Sequence, residues 1–114
     1  MKVLPFTGLL LFAGSAGATS MSVPLVQVKQ TITADYHCPS GERFSVTYLN
    51  ASNGQSFAVL QYQGKTMLLV NGMSADGVRY QADSITWWIK GRAGTLFDAR
   101  IDPDKPVLDG CATK

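Results

Sequence analysis

From Val26 onward, apolar residues recur at every second position in short runs, separated by polar and glycine-rich segments. Alternation of this kind sends successive side chains to opposite faces and marks a half-buried strand. The first run, Val26 to Cys38, carries Val26, Val28, Ile32 and Tyr36. Pro39-Ser40-Gly41-Glu42 then supplies turn chemistry, and Phe44, Val46 and Tyr48 alternate down a second strand, so the two form a hairpin. Asn50 to Gln55 is a polar connection containing Asn53-Gly54, and in Ser56 to Tyr62 the residues Ala58, Leu60 and Tyr62 share one face. Gln63-Gly64 turns the chain into Lys65 to Val70, Asn71-Gly72 is expected to break that strand, and Asp76-Gly77 makes a tight turn before Val78 to Ala82. Ile85 to Lys90 is the most aromatic strand. Thr95 to Ile101 is the last strand predicted, and Asp102 to Pro106 leads to a tail carrying Cys111. No window has helical periodicity. The prediction is an all-β domain, a small antiparallel β-barrel of about eight strands, because closure removes exposed edges; a sandwich fits the same pattern.

The start of the chain has a different pattern. Met1 and Lys2 form a short basic region, Val3 to Phe12 is apolar, and Ala16-Gly17-Ala18 has the small-x-small form of a signal cleavage site. Residues 1–18 are therefore expected to be a signal peptide, 19–24 a flexible mature N-terminus, and 25–114 the folded domain. The apolar run contains Pro5 and Gly8 and falls short of the roughly 20 residues a membrane span needs. No cysteine follows the small residues to take a lipid, so no membrane anchor is expected. The remaining chain, roughly 96 residues, holds one modest core.

Two cysteines in an exported chain read as one disulfide, Cys38 to Cys111, closing a loop that spans most of the domain. A loop of that length restricts the unfolded chain by about 4 kcal/mol in the entropy model. A structural zinc would need four ligands, and the chain offers two cysteines and His37, so no metal and no cofactor is expected. Loss of Lys2 with the leader lowers the net charge from +2 to +1, and the basic residues are scattered, which argues against nucleic acid. Catalysis is poorly supplied. His37 is the only histidine and lies beside a cysteine expected to be oxidised, without an arranged partner. Among Asp76, Asp83 and Asp98 no spacing singles out a glycosidase pair, and no phosphate-binding glycine loop or HExxH occurs. Asn50-Ala51-Ser52 matches a glycosylation pattern too short to carry weight. The chain is read as a binding protein and not an enzyme.

The segment from Asp76 to Arg92 concentrates recognition chemistry: Arg79, Tyr80, Trp87, Trp88, Lys90 and Arg92 around an Asp-Gly turn. Alternation puts Ile85, Trp87 and Ile89 on one side of their strand and Thr86, Trp88 and Lys90 on the other. With the first set inside, Trp88 and Lys90 face outward together as an interface anchor. Two core tryptophans and a solvated lysine would fit equally well.

The string Tyr36-His37-Cys38, then Gly41, Phe44, Val46 and Tyr48, then Asp76-Gly77-Val78-Arg79-Tyr80, Trp87-Trp88-Ile89-Lys90-Gly91 and Cys111, resembles the bacterial inhibitors of c-type lysozyme, the MliC and PliC proteins. The resemblance covers nearly all of the expected domain. It implies an eight-stranded antiparallel barrel whose two loop regions enter the active-site cleft of a host lysozyme. It further implies the periplasmic type, since the membrane-bound members carry a lipidated cysteine. Lys90-Gly91 matches one family contact motif in full. The other, Ser-Gly-x-x-Tyr, is matched by Gly77 and Tyr80, but Asp76 stands where the family usually has serine. The resemblance thus implies a binding set of Ser74, Asp76, Gly77, Arg79, Tyr80, Trp88, Lys90, Gly91 and Arg92, with Lys90 as the group that meets a catalytic carboxylate. For Asp76 three arrangements are open: it shares a proton with the lysozyme acid, it points away while the Gly77 amide makes the contact, or Ser74 takes over as donor. The second is favoured, because an Asp-Gly turn occupies the aspartate side chain. Exposed edges and aromatic surface also allow a homodimer. The competing function is a barrel-shaped binding module for a small apolar or glycan ligand, with Tyr80, Trp87 and Trp88 as stacking surfaces.

Overall fold

The computed structural model describes residues 23–113. The expected leader and most of the flexible N-terminus lie outside the described residues. Eight strands follow in order: β1 Val28–His37, β2 Arg43–Ala51, β3 Ser56–Tyr62, β4 Lys65–Gly72, β5 Val78–Ala82, β6 Ile85–Lys90, β7 Ala93–Asp98 and β8 Leu108–Ala112. Each pairs antiparallel with the next, and β8 returns to β1, so the sheet is a closed barrel in sequence order. Cys38 and Cys111 are bonded, as the cysteine count predicted.

β1 is trimmed to Val28–His37 and β7 starts at Ala93, two residues earlier than read from sequence; three larger differences each have a local reason. β4 does not break at Asn71-Gly72, because Asn71 and Gly72 pair with Tyr80 and Arg79, and the Asn71 side-chain amide donates to the Arg79 carbonyl at 3.0 Å. β7 ends at Asp98 and not at Ile101, because the amides of Ile101 and Asp102 both donate to the Asp98 carbonyl and curl the chain there. The C-terminal tail is itself a strand, β8, which the sequence hides behind its mixed Leu-Asp-Gly-Cys-Ala composition.

The closing seam is uneven. β1 and β2 pair along their length, from Val28 opposite Ala51 to His37 opposite Arg43, whereas β1 meets β8 with His37 opposite Ala112. The Cys38–Cys111 bond lies one residue beyond that pair on each strand. Most of the second edge of β1 therefore stays outside the ladder among the described residues.

Alternation fills the barrel interior with Val46, Ala58, Leu60, Leu69, Ile85, Trp87 and Leu96, all buried. Trp87 is fully enclosed, and its ring stands edge-on to Tyr36 and Phe44 at 5.0 and 5.2 Å between centroids. Gly94 on β7 is required by that ring, since a Cβ there would overlap the Trp87 ring edge. The polar atoms that reach inward are paired. The Trp87 indole N–H donates to the Tyr48 hydroxyl at 2.8 Å, and Tyr48 bonds the Tyr36 hydroxyl at 2.7 Å. Burial and the bond to Tyr36 push the Tyr48 phenol far above its ordinary value. At another point of the wall, Asp98 is buried and accepts from Tyr62 and Ser84 at 2.8 and 2.9 Å. Burial works against its charge. The bonds from Tyr62, the Arg100 amide and Ser84 outweigh that and hold its carboxyl below the usual range.

Candidate functional site

The other side of β6 carries the candidate site. Trp88 lies opposite Arg79 of β5 in the ladder, and Lys90 follows two positions along the same face. The loop from Met73 to Gly77, between β4 and β5, folds onto this face and is fastened to it. The Asp76 carbonyl accepts from the Trp88 indole N–H at 2.8 Å and from the Ser74 hydroxyl at 2.6 Å. Gly77 makes the close approach possible: its φ is +70°, and a Cβ would collide with the Ile89 carbonyl, the Lys90 Cγ and the Trp88 Nε1.

The Asp76 carboxylate turns back across the loop to Lys90, with Oδ2 2.8 Å from Nζ. The Lys90 bond and charge, with help from the Gly77 amide, hold the Asp76 carboxyl below its ordinary value. Both side chains remain more than half exposed, at 54% for Lys90 and 66% for Asp76, so the pair sits in water at the surface. Lys90 Nζ and the Arg79 guanidinium lie 5.4 and 5.5 Å from the centre of the Trp88 ring, within cation–π range. The cluster thus presents three charged groups and a half-buried indole on one platform.

Six of the nine residues singled out from sequence meet here: Ser74, Asp76, Gly77, Arg79, Trp88 and Lys90. Gly91, at φ +62°, and Arg92 form the adjoining β6–β7 turn. Arg92 is tied to the C-terminal tail, its guanidinium donating to the Thr113 carbonyl at 3.3 Å and its own carbonyl accepting from the Thr113 amide at 3.2 Å. Tyr80 differs. It is buried inside the barrel, its hydroxyl bonded to Ser56 at 3.0 Å, so in the free chain it supports β5 from beneath. In the free chain the Asp76 side chain is engaged within the protein itself. The turn does occupy its side chain, with Lys90 as the partner. Met73 escaped the sequence reading; it stands at the tip of the loop, 99% exposed. Its only signal was an apolar residue in an otherwise small and polar loop.

No group of three or more metal-ligating side chains occurs among the described residues. The family of membrane-bound lysozyme-inhibitors of c-type lysozyme, MliC, matches residues 36–105, a stretch that contains the whole platform. The chain belongs to this family. An MliC relative of Cupriavidus necator, a membrane-bound lysozyme inhibitor of C-type lysozyme, is 33% identical over 103 residues, 90% of this chain and 82% of the relative. The Pseudomonas aeruginosa protein of the same description is 36% identical over 67 residues, 59% of this chain and 53% of that protein. Among solved structures, P. aeruginosa MliC in complex with hen egg white lysozyme superimposes with a TM-score of 0.67 at 30% identity, covering 87% of this chain and 98% of that one. The periplasmic inhibitor PliC of Salmonella typhimurium shares the fold, with a TM-score of 0.67 at 24% identity over 75% of this chain and 99% of that one. MliC and PliC proteins are inhibitors, which agrees with the reading of this chain as a binding protein.

Proposed function

We propose that this chain inhibits a c-type lysozyme by seating the β4–β5 loop and the β6–β7 turn in the enzyme's active-site cleft. The observation that carries the reading is the Lys90 ammonium, which stands more than half exposed on a platform built from both regions. C-type lysozymes work with a carboxylic acid and a carboxylate across a cleft, and an ammonium placed between them occupies the catalytic space. A charge-assisted bond to that carboxylate is strong, but desolvation of both ions offsets much of it. Trp88, Arg79 and the exposed Met73 supply the surrounding contact, Gly77 lets its loop lie close on β6, and Gly91 supplies the left-handed φ of the β6–β7 turn. Tyr80 acts from beneath as a positioning residue. A leader at residues 1–18 would carry the protein to the periplasm, where it would shield peptidoglycan from host lysozyme.

The test is lysis of bacterial cell walls by hen egg white lysozyme, with and without the purified protein. Wild type is expected to block lysis. A Lys90→Ala variant, folded by circular dichroism, is expected to lose most of that effect; full inhibition by the folded variant removes Lys90 from the centre of the mechanism.

A second reading rests on a different place. The barrel interior is filled by side chains, so it cannot serve as a cup, but an apolar hollow of about 500 Å³ lies outside it between Val23, Val26, Val28, Leu49, Phe57, Val59 and Leu68. A small apolar ligand would fit there. Titration with a fluorescent apolar probe tests it, and a Phe57→Ser variant should abolish any binding seen. Self-association, the other expectation from sequence, is a further proposal; sedimentation over a concentration series decides it.

A further inference from the structure

Lys90 is not a free cation in this chain. The Asp76 carboxylate already occupies it at 2.8 Å, and the loop that carries Asp76 is fixed in place by bonds from Trp88 and Ser74 to the Asp76 carbonyl. From this geometry we infer that Asp76 is an internal competitor for Lys90, so that partner binding is an exchange of one carboxylate for another and Asp76 sets which clefts can complete it. The inference rests on the inhibitor reading above and deepens it.

The physical case has two parts. First, any acidic cleft that takes the Lys90 ammonium must either displace Asp76 or accept it as a third carboxyl group. Displacement returns the Asp76 carboxylate to water and forfeits the existing pair. Accepting it places like charges side by side, which is costly at an interface. Second, the loop cannot simply swing away. Gly77 is packed against the Ile89 carbonyl and Lys90 Cγ, so the carboxylate has to rotate about its own side-chain bonds while the backbone stays. The exchange therefore favours a cleft that offers Lys90 a denser set of acceptors than Asp76 alone, and it disfavours singly acidic surfaces. Asp76 acts as a selectivity filter against weakly acidic partners.

The experiment measures the dissociation constant for hen egg white lysozyme by isothermal titration for wild type, Asp76→Asn, Lys90→Ala and the double variant. Asparagine suits the same Asx-Gly turn while removing the charge. Asp76→Asn is expected to bind about three- to tenfold tighter than wild type, the range given by release of an exposed ion pair together with relief of like-charge contact. In the Lys90→Ala background the gain should shrink to less than about half of that factor, because the competition acts through Lys90. Equal or weaker binding by Asp76→Asn overturns the inference while leaving the inhibitor reading intact. A gain that persists undiminished without Lys90 also overturns it, since Asp76 would then act on the partner directly. No binding by any variant, wild type included, overturns the inhibitor reading and this inference with it.

Discussion

Trp87 and Trp88 are neighbours in sequence and opposites in structure. Trp87 is sealed in the barrel, its N–H spent on Tyr48 and its ring edge against Gly94; Trp88 lies half-buried outside, its N–H spent on the Asp76 carbonyl and its face open to two cations. On one strand, then, the inner residue fixes the fold and the outer residue fixes a loop. The difference teaches where stability and binding part company. Substitutions around Trp87 should be read in unfolding curves, and those around Trp88 in lysozyme inhibition.

The largest expected effect comes from the inner side. Trp87→Ala should cost about 3–5 kcal/mol by leaving a cavity at the centre of the core, and chemical denaturation monitored by far-ultraviolet circular dichroism reads it. Trp88→Ala should move the same curve by far less while weakening inhibition; equal losses of stability from both would erase the distinction. Next comes the covalent seam. Replacing Cys38 and Cys111 together by serine should lower stability by about 2–5 kcal/mol, and inhibition should fall only in step with the unfolded fraction. Tyr48→Phe leaves the buried Trp87 N–H without its acceptor and should cost about 1–3 kcal/mol, with inhibition by the folded protein unchanged. Gly77→Ala tests the outer side: the left-handed φ and the collision with the Ile89 carbonyl should displace the loop at a cost of about 1–2 kcal/mol, with a much larger fractional loss of inhibition. The smallest effect is acid sensitivity. Asp98 and Asp76 both have carboxyls held below 3.8, so their contribution to stability is fully present above that value and is lost as pH falls through their lowered folded-state values. Asp98→Asn should flatten the stability profile below about pH 4 more than Asp76→Asn does, because Asp98 is the one enclosed by partners.

Much of this was legible in the alternation of the chain. Phe44, Val46 and Tyr48, or Ile85, Trp87 and Ile89, declare an inside and an outside because a pleated strand leaves them no other choice. The disulfide followed from two cysteines and an apparent export signal. Legibility ran out where the backbone stops obeying the period of two. β8 has too few alternating apolar residues to announce itself and exists because β7 offers it a ladder. Of the site, the sequence located the residues but not their pairing. Tyr80 looked like a surface aromatic in the motif and is a core residue, since β5 alternation places it opposite Trp87. The Asp76–Lys90 contact joins residues 14 positions apart through a loop whose path depends on Gly77 and the Trp88 indole, and no local pattern encodes such a path.

The seam between β1 and β8 has a consequence for the order in which the molecule assembles. Every other neighbouring pair of strands is consecutive in the chain and can zip as a hairpin, a local event with little loop entropy to overcome. Only the meeting of His37 with Ala112 must wait until the whole sheet has curled, and the bridge beside it spans a sequence separation of 73 residues. Closure thus carries the largest loop entropy of any strand pairing in the barrel, and a formed bridge removes much of that cost from the unfolded chain. Because Thr113 beyond the bridge holds Arg92, that same last step sets the β6–β7 turn beside Lys90. The bridge thus fastens a seam that the strand pairing has already drawn together, and the turn beside Lys90 depends on that closure and not on the covalent bond itself.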